Sequence, residues 1–387
     1  MKKSVCIVGM GTYESEEPIE EFSHKEMLFY ATKKAMGEAG IERDDIDVGY
    51  TASYDFFEGR SLSNQFTVDS IGGVMKACDE RVGDEGIYAL LAGCMEIMAD
   101  PTKIVVVAMV QKPSDRDLNG VGFQRLIGDT MEPVFSRPVV KSVPDETRLE
   151  GVLTSMELRN FMERSGLTQE DIAKVVVKNM NNAGKPFSVE DVLKSAQLSG
   201  SFRKAMLAPP KDAACTFFLA SEERAKRMKS DPIFIRGIGW ASGKSHFATR
   251  VQGTCDETKW AARQAYKMAN IHRPETDIDF AEINDWYAHR ELMHCEALGL
   301  CGTNDLSSCI QDGMFEKNGT IPVNRSGGLI GKGNPTGGAG LLSVARVVEQ
   351  LRRKAGNKQL SGERFGLAHG WNGIPLASAG VAILSNC

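Results

Sequence analysis

Residues 5–11 read VCIVGMG and residues 233–239 read IFIRGIG. The stretches behind them also correspond. ATKKAMGEAGIERDDIDVGYTAS (31–53) returns as AARQAYKMANIHRPETDIDFAEIND (261–285), about 230 residues later. Each copy reads strand, connection, helix, Asp-Ile-Asp, strand. The chain is therefore expected to be two copies of one α/β unit, residues 1–228 and 229–387. Neither G-x-x-x-x-G-K-[ST] nor a G-x-G-x-x-G after the first strand is present. The chemistry is expected at strand ends and at the helices between the copies.

The 387 residues are 42% apolar and 25% charged, as in ordinary globular proteins. The net charge is −5 with the signs interspersed, so no basic stripe offers itself to nucleic acid. No apolar run approaches the ~18 residues that span a bilayer. Lys2 and Lys3 precede a short apolar run that ends in an acidic loop, which reads as a first strand and not as a signal peptide. The nine cysteines are irregularly spaced without a C-x-x-C pair. Reduced thiols and a cytoplasmic location are expected.

Helical spacing over 24–39 stops at Gly40. Residues 85–99 form a helix too apolar for a surface, and 104–110 read as a fully buried strand. Over 113–150 the composition shifts to Pro, Gly, Arg and Asp, which opens a loop excursion running to about 210; a helix at 152–165 and the segment 168–182 belong to it, and 186–210 read as irregular. AACTFFLA (213–220) returns to the first unit, and SEERAKRM (221–228) reads as an exposed helix. In the second unit, 364–369 read as a strand, followed by the loop HGWNGIPLASAG and a last strand VAILS.

The glycine-rich run 324–340, NRSGGLIGKGNPTGGAG, implies backbone packed tightly against something. Close contact between helices and strands calls for the same small residues. Asn284, at the end of a strand, either holds a water or carbonyl oxygen or caps the next helix. His369 lies beside glycines that leave room for a ligand. In the group His289, His294, Cys295 and Cys301, helical geometry turns His294 and Cys295 in different directions, so no metal site is expected there.

In order along the chain, DAACTFFLASEERAKRM, the 261–301 segment and NRSGGLIGKGNPTGGAG resemble the thiolase family of condensing enzymes, nearest its sterol-carrier-protein-like branch. The resemblance implies a five-layer αβαβα fold of two like halves, with a loop excursion in the first. It implies a dimer, acyl-CoA substrates and coenzyme A as co-substrate. It also implies a small partner subunit with a zinc ribbon and an oligonucleotide-binding-type barrel, and no metal in this chain.

The family's nucleophilic cysteine opens the buried helix of the first half, and ungapped alignment puts Gly83 there. Cys78 is the alternative nucleophile. The family's Gly-His-Pro is here Gly333-Asn334-Pro335. Asn284-Asp285-Trp286-Tyr287 stands at its Asn-Glu-Ala-Phe motif, and His369 fits the family's last histidine. A cysteine without an adjacent base is mostly thiol near neutral pH. The two losses therefore point to direct attack of coenzyme A's thiolate on a 3-oxoacyl-CoA, a retro-Claisen cleavage. Asn284 and Asn334 are the expected catalytic donors and His369 the expected base. Trp286, Tyr287, Trp371, Gly333 and Gly370 are the expected substrate-binding residues. The rings suit an aromatic acyl group, as in benzoylsuccinyl-CoA. Lys244, Arg250 and Lys332 are charge-based candidates for coenzyme A's phosphates. A degenerate acyl-CoA-binding or structural subunit is the alternative.

Overall fold

The computed structural model describes residues 4–53, 67–82, 85–115, 149–228, 230–244, 249–373 and 377–387, with backbone alone at 77–82 and 149–150. Gly83 and residues 116–148 of the excursion lie outside the described residues, as does the Cys78 side chain.

The strands of the first half are β1 (Val5–Glu14), β2 (Val48–Ala52), β3 (Ala77–Val82), β4 (Val105–Gln111) and β7 (Ala213–Ser221). Those of the second are β8 (Ile233–Ser242), β9 (Phe280–Glu282), β10 (Phe365–Gly373) and β11 (Ala377–Ser385). A small hairpin, β5 (Gln197–Ser199) with β6 (Phe202–Arg203), stands apart. The nine strands form one sheet ordered β3-β2-β4-β7-β1-β8-β11-β10-β9. The order is a palindrome about the β1/β8 pair: β7 answers β11, β4 answers β10 and β2 answers β9. Beyond β9, the parallel bridge from Ala281 to Val323 stands where β3 lies beyond β2.

Local chemistry repeats with the topology. Helix α1 (His24–Ala39) crosses β1, and Gly11 lets it in: a Cβ there would lie 2.0 Å from the Ala31 carbonyl oxygen. Helix α5 (Asp256–Ala269) crosses β8 in the same way, and a Cβ on Gly239 would lie 2.0 Å from the Ala261 oxygen. Each helix ends on a left-handed residue, Gly40 or Asn270. The last Asp of each Asp-Ile-Asp then ties down the neighbouring strand. Asp47 N–H donates to the Ile104 carbonyl (3.0 Å) and its carboxylate accepts from Ile104 N–H (2.7 Å). Asp279 does the same to Phe365, at 3.0 and 2.8 Å.

Helices α2 (Gly86–Ala99) and α7 (Ala339–Leu351) share one core with inward faces of both sheet halves, including Val107, Leu219, Ala368 and Ala382. The outer face of the first half packs on α1. The outer face of the second packs on α5, on α6 (Ala288–Ala297) and on α4 (Gln169–Ala183) of the excursion, which follows α3 (Leu149–Ser165). These three cores separate helix, sheet, helix, sheet and helix, the five expected layers.

Four details differ from the expectations. Residues 186–210 carry a short helix at Val189–Lys194 besides the hairpin. The helix after β7 covers only Glu222–Ala225. Strand β10 runs on through Trp371 to Gly373, so His369 sits in mid-strand rather than in a loop. Its glycines read as a loop but serve close packing instead. Cys301 and Cys309 are joined as a disulfide, not held as two thiols.

Candidate functional site

The end of β9 leads through Ile283 to Asn284, and α6 begins four residues later. Asn284 is spent on bracing. Its amide N–H donates to His369 Nδ1 (3.4 Å) and its side-chain Nδ2 to the Trp371 carbonyl (3.1 Å), while its Oδ1 accepts from Trp286 N–H (3.1 Å). Since Nδ1 of His369 accepts, Nε2 carries the proton and donates to Thr258 Oγ1 (3.2 Å). The Thr258 hydroxyl is then free to donate to His294 Nδ1 (3.0 Å). Among the described residues, the buried His294 Nε2 has no hydrogen-bond partner. Burial first, then the Arg290 charge, pushes His369 down to about 3. Burial, His369 and Arg290 put His294 well below the usual imidazole range. Both rings are neutral near pH 7.

Around this relay lies a buried ionic floor. Arg290 Nε donates to Glu157 Oε1 (2.6 Å), and its guanidinium stacks 4.0 Å from the Trp371 ring. His289 reaches the same carboxylate oxygen at 3.0 Å. Burial alone would raise Glu157; Arg290, then His289, outweigh it and hold it at about 2. Trp371 Nε1 donates to Glu257 (2.9 Å). Trp286 and Tyr287 stack with ring centroids 5.5 Å apart, and both meet Trp371 edge-on. The three expected aromatic residues are thus one cluster, with Tyr287 and Trp371 fully buried.

Asn334 lies elsewhere on the same layer of loops. Its N–H donates to the Pro209 carbonyl (2.7 Å), its carbonyl accepts from Lys211 N–H (3.1 Å), and its Oδ1 accepts from Thr336 N–H (2.8 Å). The glycine-rich run around it is packed close. Gly331 abuts Ala183 on α4, and Gly328 leaves room for Asp285, whose carboxylate accepts from Leu329 N–H (2.6 Å) and Ile330 N–H (3.1 Å). Burial, then the Glu291 carboxylate, raises Asp285 to about 7.

The three basic candidates do not share a site. Lys244 and Arg250 line a cavity of about 360 Å³ with Glu157, Glu257, Arg290 and Trp260. Lys332 lines another, of about 330 Å³, with Lys211, Arg346 and Lys358, and pairs with Glu16 at 3.0 Å. Gly333 lies against Lys211, on the Lys332 side.

Gly370 faces the opposite way from His369 and Trp371, into the central layer. There it meets Glu85, the cap of α2. Glu85 is fully buried. Its Oε2 accepts from Ile87 N–H (2.7 Å) and its Oε1 from Gly340 N–H at the start of α7 (2.6 Å). The sequence reading passed over this carboxylate. The signal was a lone acid opening the most apolar helix of the chain. Among the described residues no group of His, Cys, Asp and Glu is arranged to hold a metal, and no helix is long and apolar enough to cross a membrane.

Comparison with known proteins sets this geometry beside that of thiolases. Over 402 residues the chain is 28% identical to an acetyl-CoA acetyltransferase of Methanothermobacter thermautotrophicus, covering 99% of this chain and all of that one. Over 215 residues, 53% of this chain and 55% of the other, it is 29% identical to benzoylsuccinyl-CoA thiolase subunit BbsB of Thauera aromatica. A solved structure titled Ltp2-ChsH2(DUF35) aldolase superposes with a TM-score of 0.80 at 22% identity, over 99% of this chain and 97% of that one, which shows the shared fold. Residues 239–386 match the family described as thiolase C-terminal domain-like, and the whole chain has the thiolase fold.

Proposed function

We propose that the chain is a thiolase-type acyl-CoA C-acyltransferase subunit that cleaves a 3-oxoacyl-CoA with coenzyme A, without passing through an acyl-cysteine. The observation that carries this reading is the state of the thiols. The cap of α2 is Glu85, not a cysteine. Burial pushes Cys6 and Cys94 up to about 12 and Cys215, Cys255 and Cys295 well above the usual range. A thiol held that high is not a nucleophile near pH 7.

In this scheme the free thiol of coenzyme A attacks the ketone, and Asn334 donates to the oxygen that becomes negative. One such donor is worth about 3 kcal/mol in the transition state. Asn334 suits this role because its Oδ1 is engaged by Thr336 while no hydrogen bond occupies its Nδ2 among the described residues. Asn284 and His369 form a brace that fixes the Trp371 strand against α6. His369 has both ring nitrogens engaged and is poorly placed to take the thiol proton. The cluster of Trp286, Tyr287 and Trp371 favours a ring-bearing acyl group, in keeping with the similarity to a benzoylsuccinyl-CoA thiolase subunit. The aldolase fold relative is named together with a DUF35 protein, and a small partner of that kind is part of the proposal, with a homodimeric core.

The competing reading is an acyl-CoA-binding subunit without turnover. It is favoured by the closed hydrogen bonding of Asn284 and His369. The test is acyl-CoA product formation from acetoacetyl-CoA and benzoylsuccinyl-CoA with added coenzyme A, by the chain alone and with a DUF35-type partner. Coenzyme A-dependent cleavage supports the enzyme. Tight acyl-CoA binding with no cleavage in any mixture supports the binding subunit.

A further inference from the structure

We infer that the cavity of about 330 Å³ beside α7 and the glycine-rich run is a binding site for a small phosphate-type dianion, held by Lys211, Lys332, Arg346 and Lys358. The first observation is a surplus of positive charge. Glu14, at the end of β1, is shared by Lys211 (2.5 Å) and Arg346 (2.6 Å). Glu16 is likewise shared by Lys185 (2.8 Å) and Lys332 (3.0 Å). Of the other two carboxylates in the lining, Glu349 pairs with the same Arg346 (3.1 Å). Glu282 is engaged by Ser326, accepting from its N–H at 2.9 Å and its hydroxyl at 2.6 Å. Lys358 and, behind it, Arg325 have no carboxylate partner among the described residues. Lys358 donates to the Ser326 carbonyl. Arg325 donates to the Asn182 side chain and the Asn357 carbonyl, both at 3.1 Å. The cations in and around the cavity thus outnumber the carboxylates by two, the charge of one phosphate dianion.

The second observation is that donors remain. An ammonium has three N–H groups. Lys211, Lys332 and Lys358 each make one hydrogen bond among the described residues, to Glu14, Glu16 and the Ser326 carbonyl. Lys211 is 5% exposed, so its spare donors have the cavity rather than bulk water to turn to. The third is that the cations act on one another. Burial, then the Lys332 and Arg346 charges, pushes Lys358 down to about 8, with Glu282 opposing. A lysine adequately supplied with carboxylate would be held up instead. The volume is that of a small-ligand pocket. Point charges spread around a cavity suit the tetrahedral oxygens of a phosphate, whereas a single planar carboxylate would be met by one guanidinium fork. A smaller adjoining space is lined by Lys211, Lys332, Arg346 and Gly333, so the anion sits behind the loop that carries Asn334.

The test is isothermal titration calorimetry of the whole chain with inorganic phosphate at about pH 7.5, with ionic strength held constant by chloride. It needs no turnover, so it stands apart from the reaction proposed above. The expected result is one saturable site on the wild type, weakened about tenfold or more in Lys358→Met and in Lys332→Met, each of which removes a charged donor. Lys358→Met also removes a repelled charge, so it should melt no lower than the wild type in phosphate-free buffer and guards against a variant that fails to fold. Lys244→Met, in the other basic cavity, should bind phosphate as the wild type does. Titrations repeated in saturating coenzyme A and in saturating 3′-dephospho-coenzyme A identify the source of the phosphate. Binding lost in coenzyme A alone assigns the site to its 3′-phosphate, lost in both to its diphosphate, and lost in neither to a separate phosphate-bearing ligand. No saturable binding by the wild type, an unchanged affinity in both Lys332→Met and Lys358→Met, or a loss in Lys244→Met instead overturns the inference.

Discussion

Thr258→Val is the most direct probe of the relay behind Asn284. Valine matches threonine in shape, so the packing of α5 against β10 is kept and only the hydroxyl is lost. That hydroxyl accepts from His369 Nε2 at 3.2 Å and donates to His294 Nδ1 at 3.0 Å, and all three side chains are fully buried. Its removal strands a donor on one imidazole and an acceptor on the other. A buried polar group without a partner costs about 1–3 kcal/mol. His294 Nε2 already lacks a partner among the described residues, so the rings have little left to lose to rearrangement. The expected loss of stability is therefore about 2–5 kcal/mol. Urea unfolding at pH 8, where the histidines are neutral in both states, measures it as a shift in midpoint at constant slope. Thr258→Ser should recover most of the loss. A Thr258→Val protein within about 0.5 kcal/mol of the wild type, the range of ordinary surface changes, would refute the relay.

Further outcomes follow from the same structure. His369 binds a proton only near pH 3 when folded but near pH 6.5 when unfolded, so the unfolded chain is the better proton acceptor between those values. Stability should fall as pH drops below about 6.5, by up to about 1.4 kcal/mol per pH unit for each such histidine, and His369→Gln should flatten that limb of a urea midpoint-versus-pH series. Gly11→Ala and Gly239→Ala should destabilise alike, by about 1–3 kcal/mol or more, because each methyl would meet a helix carbonyl at 2.0 Å; a cost at one position alone would argue against equivalent halves. Cys78→Ala should keep its rate of acetoacetyl-CoA cleavage, read as acetyl-CoA formed per minute.

Much of the fold was open to reading because duplication writes the same pattern twice. The paired glycines of β1 and β8 and the paired Asp-Ile-Asp turns each recur with the same contacts. The elements that escaped reading are those whose form is set from a distance. Strand β10 is interrupted by Gly370 and Gly373, and in isolation that reads as a loop. Gly370 is explained by Glu85, which reaches it from the start of α2, and Gly373 by the Trp371 ring of its own strand. The hairpin at 197–203 is held partly by the Lys204 N–H bond to the Ala196 carbonyl, a contact with no hydrophobic period to announce it. The site was half legible. Asn284 and His369 could be named as candidates from the sequence, but their orientation depends on strand parity. A one-residue step along β10 separates the α6 side, where His369 braces, from the central layer, where Gly370 admits Glu85.

Whether the reaction avoids a covalent intermediate is tested most directly by intact-mass spectrometry of the protein, acid-quenched while it is turning over a 3-oxoacyl-CoA. The account predicts the unmodified chain mass throughout turnover. A species heavier by one acyl group and mapping to any cysteine, Cys78 above all, would contradict it.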